Sequence, residues 1–462
     1  LHCGFRCSAA SGAASIPHEN IQHIQYVIVS DLRWIRRRSA IPVVRNLAAL
    51  FAGVALLLMG SGLLGTLLAV RGRIENFDDQ TMGLIMSGYF VGFFLGTYLA
   101  PGLIQRIGHI RAFAFYAALC AAAVLLHPIF IDPWAWGALR VLTGIGLVGL
   151  YTVIESWLNV QAPPDKRSQV FAVYMAVNLL ALAAGQWFIS FLDPSTFVLF
   201  SVVAILVCLA ALPVVASRMV QPTLPAVPRL ALAALWRAAP AAASGSLLAG
   251  VAMGGFWGMG AVYATGLGLD LQGIAALMSA TILGGALLQW PIGRASDRGD
   301  RRTTLAIICV IAALIGVAMV FAAGHSQFVL FGLFFLFGGV AFAIYPLCVA
   351  HLLDHLPVED TLSGCSSLLL LNGVGSAIGP ALAGAAMVRF GPSALPASFA
   401  VVLGVLALIA AGRRLIRRRD RDHPSVFHPM LRTTPSALEL LPETGPAPEG
   451  PDLSDPHHKD PR

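Results

Sequence analysis

The chain has 462 residues, of which 57% are hydrophobic and only 11% charged, with a formal net charge of +7. Soluble domains carry about a quarter charged residues, so this balance excludes one and points to a polytopic membrane protein. The basic excess lies in short loops and the tail, where it orients spans in a bilayer, and no nucleic-acid partner is expected.

Residues 1–40 contain no apolar run longer than a few residues and end in the basic cluster Arg33, Arg36, Arg37 and Arg38. A secretory signal needs the opposite order, a basic start and then an apolar core. We expect a disordered leader, which an over-extended gene start with the protein proper beginning near Val27 or later would also explain. From there the apolar segments keep a steady beat: 43–70, 79–104, 111–131, 134–160, 167–191 and 195–217, then 240–265, 270–293, 303–323, 326–353, 361–388 and 394–415. Each is near or above the length of about 20 residues that a crossing needs, and the breaks hold polar, Gly and Pro residues. The expected fold is therefore all-α and integral to the membrane, with twelve transmembrane helices.

Lys and Arg alternate between the loops. Arg45, Arg106, Arg111, Lys166, Arg167, Arg218, Arg229, Arg237, Arg294, Arg298, Arg301, Arg302 and the run at 413–421 fall on one side, against Arg71, Arg73 and Arg389 on the other. The positive-inside rule then makes both termini cytoplasmic. The organisation reads as a six-helix half at 43–217, a cytoplasmic linker at 218–239 holding a short interfacial helix with Trp236 and Arg237, a second half at 240–415, and a disordered tail at 416–462.

Within the fourth span, residues 140–159 read RVLTGIGLVGLYTVIESWLN. Arg140, Gly144, Tyr151 and Glu155 share one stripe at helical spacing, which must face protein or water and not lipid. Arg140 and Glu155 are about 22 Å apart along the helix axis, too far to pair with each other. An offset of 194 matches Gly144 with Gly338, Tyr151 with Tyr345, Pro163 with Pro357, Asn178 with Asn372 and Gly185 with Gly379. The fourth and fifth spans thus repeat as the tenth and eleventh, the signature of a duplicated transporter fold. Val349 and Phe334 stand opposite Glu155 and Arg140 in this repeat, so the charges are confined to one half.

The loop after the eighth span, GRASDRGDRR at 293–302, resembles the G-x-x-x-D-R loop of the major facilitator superfamily, with Asp300 in place of its second Gly. The loop after the second span keeps Arg106 and Gly108 but carries Gln105 where that signature has Asp. Arg140 and Gly144 resemble the R-x-x-x-G pattern of the family's fourth helix. GLLGTLLAVR, RIGHIRAFA, ESWLN and VFAVYM are similar to the YcaD-like bacterial subfamily. The resemblance implies two pseudo-symmetric six-helix bundles in a bacterial inner membrane and a cytoplasmic gate at Gly293, Asp297, Arg298, Arg301 and Arg302. With the inner side closed, Asp297 is expected at the start of the fifth helix.

Two readings of Glu155 stand side by side. The favoured one is a structural ion pair with Arg106 or Arg111, and the other is a proton carrier. Arg140 either binds a substrate anion or carbonyl, or bonds backbone carbonyls near the glycines of the first span. Tyr151, Asn178, Gln186, Trp257, Tyr263, Gln289, Tyr345 and Asn372 are cavity candidates, each also explicable as interhelical packing, and as a set they fit a neutral or amphipathic ligand.

The expected function is a secondary transporter of a small molecule by alternating access, proton coupling being one option. The protein is expected to be a monomer in the bilayer. A transport-inactive receptor or scaffold is the first alternative. A membrane enzyme is the remote one, resting only on His351, Asp354 and His355 at helical spacing, and an enzyme is not expected. Neither a cofactor nor a metal is expected: the sequence has no phosphate-binding G-x-x-x-x-G-K-[ST], and Cys120, Cys208, Cys309, Cys348 and Cys365 stand singly in apolar runs.

Overall fold

The computed structural model describes residues 47–163, 166–215, 232–356, 360–416 and 427–430. The expected leader, most of the linker and most of the tail lie outside them. Twelve long helices follow in order: α1 (Ala48–Ile74), α2 (Asp79–Ile107), α3 (His109–Leu126), α4 (Pro133–Gln161), α5 (Arg167–Gln186), α6 (Val198–Val215), α7 (Pro240–Gly266), α8 (Leu271–Arg298), α9 (Arg301–Ala322), α10 (Gln327–Leu353), α11 (Thr361–Phe390) and α12 (Ala394–Ile416). Eleven are long and apolar enough to cross a membrane, and α6 is a shorter apolar helix whose described residues stop at 215. The short helix Leu232–Ala238 precedes α7, with Trp236 exposed as an interfacial anchor would be.

Helix starts follow local chemistry. Asp78, Asp132, Asp270 and Asp300 each accept a backbone N–H from the first turn of α2, α4, α8 and α9, at 2.8–3.0 Å. Between α2 and α3 the chain turns on Gly108 alone, at φ +83°, a conformation open to glycine. Large apolar side chains point outward from the bundle, among them Phe321 at 72% and Leu408 at 74% exposure, as a lipid-facing surface requires.

Packing repeats between the halves. α1 packs on α5 and α6, α2 on α4, and α3 on α6; correspondingly α7 packs on α11 and α12, α8 on α10, and α9 on α12. The backbone contacts repeat residue by residue. A Cβ on Gly144 would strike the Tyr89 carbonyl of α2, and one on Gly338 the Thr281 carbonyl of α8; Gly185 faces the Met59 carbonyl and Gly379 that of Val251. Gly92 against Val141 and Gly62 against Leu182 recur as Gly284 against Phe335 and Gly254 against Ser376. The fourth and fifth helices keep the offset of 194, whereas the first and second repeat at 192, so Tyr89 and Met59 correspond to Thr281 and Val251.

The halves meet mainly where α2 packs on α11 and α5 on α8. Gly83 abuts the Pro380 carbonyl, Gly384 abuts the Asp79 carbonyl, and the Ser279 hydroxyl donates to Ala183 O at 3.0 Å. All these contacts lie toward the end that carries the α1–α2 turn, the Arg-poor end. No comparable packing joins α4 and α5 to α10 and α11 among the described residues, so the bundle is sealed at the Arg-poor end and splayed at the basic end.

If the repeat glycines hold these backbones together, Gly144→Ala and Gly338→Ala should each lower stability by about 1–3 kcal/mol through overpacking. Gly102→Ala, with nothing within 4 Å of its Cβ position, should be neutral or stabilising. Thermal unfolding of the three purified variants checks this, and a tolerant Gly338 beside an intolerant Gly144 would count against the equivalence.

Candidate functional site

One cavity opens between the halves, and a second is lined by residues of the C-terminal half. The first, about 790 Å³ of empty space including a solvent-open part, is bordered by Thr66 of α1, Tyr89 of α2, Arg140 and Tyr151 of α4, Gln186 of α5 and Trp257 of α7. Its polar wall is preorganised: the Thr66 hydroxyl meets Gln186 Oε1, and Gln186 Nε2 donates to Gly62 O at 3.1 Å. Arg140 is 7% exposed, with its guanidinium 4.6 Å from the Tyr89 ring centroid, a cation–π contact that holds the charge at the cavity edge. The second cavity lies in the C-terminal half, bordered by Trp257, Tyr345, Asn372 and Ser376. Trp257 borders both. Asn372 Nδ2 donates to Ser246 O of α7 at 3.1 Å, while the buried Tyr345 hydroxyl has no hydrogen-bond partner among the described residues.

The structure brings Arg140, Tyr151, Gln186, Trp257, Tyr345 and Asn372 to these cavities and leaves other candidates elsewhere. Asn178 is buried but bonds Tyr174 O of its own helix at 2.8 Å. Gln289 is 1% exposed and borders neither cavity, and Tyr263 is fully buried with its ring 5.7 Å from Phe334. Asn178 is satisfied on its own helix and Tyr263 packs on Phe334 of the same half. Tyr89, Thr66 and Met278 border the first cavity without having been singled out from the sequence. Nothing in their local pattern separates them from packing residues.

The α4 stripe faces protein, as its composition requires. Glu155 is fully buried and accepts the Tyr174 hydroxyl of α5 at 3.1 Å. The expected partners Arg106 and Arg111 are both exposed at the basic end, and no ion pair joins either to Glu155 among the described residues. The reason is geometric: Glu155 turns inward between α4 and α5, whereas the α2–α3 turn directs its arginines to the surface.

At the basic end of the C-terminal half, Arg301 and Asp354 are both 1% exposed and joined at 2.6 Å. Arg301 Nη1 also reaches Asp297 at 3.1 Å. Arg302 Nε lies 3.4 Å from His351 Nε2, and His355 Nδ1 2.9 Å from His351 O. His351, Asp354 and His355 are thus members of a structural charge cluster, and no group of three or more metal-ligating side chains gathers among the described residues. Arg298 is exposed. Asp297, expected at the start of α5 in the inner-closed state, here binds Arg301 at 3.1 Å and accepts the backbone N–H of Phe427 at 3.0 Å.

Comparison with known proteins agrees with this architecture. The sequence profile described as Major Facilitator Superfamily matches residues 50–273 and 242–441. An uncharacterized MFS-type transporter of Enterobacter sp. (strain 638) is 26% identical over 387 residues, covering 82% of this chain and 97% of that protein. The uncharacterized MFS-type transporter YcaD of Salmonella newport (strain SL254) is 26% identical over 353 residues, covering 76% and 91%. Among solved structures, the nucleoside transporter NupG superposes with a TM-score of 0.66 at 15% identity, over 80% of this chain and 98% of that one. A bacterial homolog of the human lysosomal transporter Spinster, captured inward-facing and unoccupied, superposes at 0.60 and 14%, over 87% and 98%. These two likenesses concern the fold. With its twelve-helix duplicated bundle, its loop signature and a profile match over most of its length, the chain belongs to the major facilitator superfamily.

Proposed function

We propose that this protein is a secondary transporter that carries a small organic molecule through the central cavity by alternating access, with the basic end cytoplasmic and both termini on that side of a bacterial inner membrane. The observation that carries the reading is a cavity between two repeat-related halves, sealed at one end by α2–α11 and α5–α8 and approached from the other. Two six-helix bundles of this kind, at 43–217 and 240–415, move most simply as rigid bodies about the site. An inactive receptor of the same fold would need a ligand but no access change.

The first cavity defines the ligand in outline. Arg140 offers a fork of donors to a carboxylate, phosphate or carbonyl oxygen, Gln186 and Thr66 offer further polar contacts, and Trp257 and Met278 offer an apolar face. An amphipathic molecule with an oxygen-rich head fits this wall. Screening purified protein by thermal shift against such metabolites should reveal a ligand that raises the melting temperature, since a ligand selective for the folded state at about 100-fold over Kd stabilises it by about 2.7 kcal/mol. Arg140→Gln should abolish the shift while leaving the unliganded melting temperature within a few degrees. A full shift in that variant would remove Arg140 from the site.

The finer part of the proposal is proton coupling through Glu155. This acid is fully buried within a span, on the α4 stripe that Arg140 and Tyr151 share, and a hydroxyl on the neighbouring helix can follow its protonation. A side chain fixed in one protonation state cannot alternate between the two sides. Glu155→Gln in proteoliposomes should therefore keep substrate exchange and lose uphill, pH-driven flux. If instead the variant folds poorly and the surviving protein keeps its pH-driven flux, Glu155 is a packing residue.

A further inference from the structure

The tail expected to be unstructured contributes four described residues, 427–430, and they are seated inside the splayed basic end. Phe427 is 6% and Met430 4% exposed. The Phe427 ring fills a hollow that exists only because residue 293 is glycine; a Cβ there would overlap the ring. Its backbone N–H donates to Asp297 Oδ1 at 3.0 Å, and that carboxylate is held in turn by Arg301 at 3.1 Å. Pro429 follows His428, and Met430 then reaches the second cavity, where it shares the wall with Trp257, Tyr345, Asn372 and Ser376. Burial holds the His428 imidazole below its ordinary range, with Asp297 pulling it up and Arg301 down, which favours a neutral ring in the docked segment.

Each contact uses a residue that the sequence marked for another purpose. Gly293 and Asp297 open the superfamily loop signature, whose aspartate was expected at the start of α5 once the basic ends close. Here a main-chain donor from the tail occupies Asp297, and an aromatic ring covers Gly293. A flexible cationic polypeptide would be a poor occupant beside Arg301, but an aromatic residue and a methionine around a proline suit an apolar hollow with one carboxylate acceptor. Tethering raises the effective concentration of the segment into the millimolar range, so modest contacts suffice.

We propose that residues 427–430 are a built-in plug: docked on Gly293 and Asp297, they place Met430 in the cavity, obstruct it from the basic end and keep the basic ends of the two halves apart until the segment leaves. The consequence for transport rests on the transporter reading, but the docking itself does not. The blocked species is splayed at its basic end, and release of the segment frees Asp297 for the opposing half.

Docking is read without any substrate by cysteine labelling in nanodiscs, where both faces are accessible. Ser376→Cys is introduced into a background with the seven native cysteines replaced, and its rate of reaction with a water-soluble maleimide is measured. Deletion of residues 427–462 should raise that rate about tenfold, the ratio for a segment docked about nine-tenths of the time. Phe427→Ser combined with Met430→Ser should do the same in the full-length chain, and it carries the test if the shortened protein does not fold. Wild-type rates in the double variant would overturn the proposal. So would an equal rise at Ser279→Cys in the seal between α8 and α5, which would signify a general loosening of the halves and not an unblocked cavity. A transporter reading that fails in flux assays leaves this result intact, since labelling reports only occupancy of the cavity mouth.

Discussion

Close approach of helix backbones is the constraint on which the rest of this structure depends. Inside hydrocarbon, water cannot drive helices together, so association relies on van der Waals contact and small residues that let the main chains meet. Gly144 lies against the Tyr89 carbonyl and Gly92 against that of Val141, a reciprocal pair that locks α4 to α2; Gly338 and Gly284 do the same for α10 and α8. Gly62 with Gly185, and Gly254 with Gly379, lock α1 to α5 and α7 to α11. These four locked pairs line the boundary between the halves. Their contacts fix the helices within each half.

The surfaces where the halves meet are also closely packed, chiefly where α2 meets α11. At the Arg-poor end the seal includes Gly83 and Gly384 against backbone carbonyls and the Ser279 hydroxyl donating across to Ala183. The contacts named here hold no ion pair, so parting them would strand no charge. The buried ion pair that does exist, Arg301 with Asp354, joins α9 to the end of α10 inside one half, where it need not break during any relative movement of the halves.

Polar side chains are distributed unequally between the two halves although the scaffold is repeated. Tyr151 and Tyr345 both border cavities, as the repeat predicts, but Asn178 bonds its own helix while Asn372 reaches across to α7. Arg140 and Glu155 have no charged counterparts in the C-terminal half. In that half the charges gather instead at the basic end, where Asp297 holds Arg301 and the tail. A duplicated packing frame thus carries one polar cavity wall and one charged anchorage.

The sequence by itself determined what depends on composition and spacing. Apolar run lengths placed every long helix to within a few residues, because a fixed hydrocarbon thickness demands a fixed length of helix. The α4 stripe and the 194 repeat were legible, since helical periodicity fixes faces and small residues mark close contacts. The companion offset of 192, carried by Asp78 and Asp270, Gly62 and Gly254, and Gly92 and Gly284, was equally present in the sequence and was masked by the two-residue change between segments. Tertiary structure alone decided partners. Glu155 and Arg106 look within reach along the chain, yet the turn at Gly108 sends Arg106 to the surface while α4 buries Glu155 against Tyr174. Gln289 and Tyr263 look like cavity residues until the rotation of α8 and α7 about their axes is known, and a span's rotation is set by its neighbours and not by its own hydropathy. The seating of Phe427 and Met430 was likewise invisible, because two apolar residues in a polar tail bury surface only against a hollow assembled from residues more than 40 positions away.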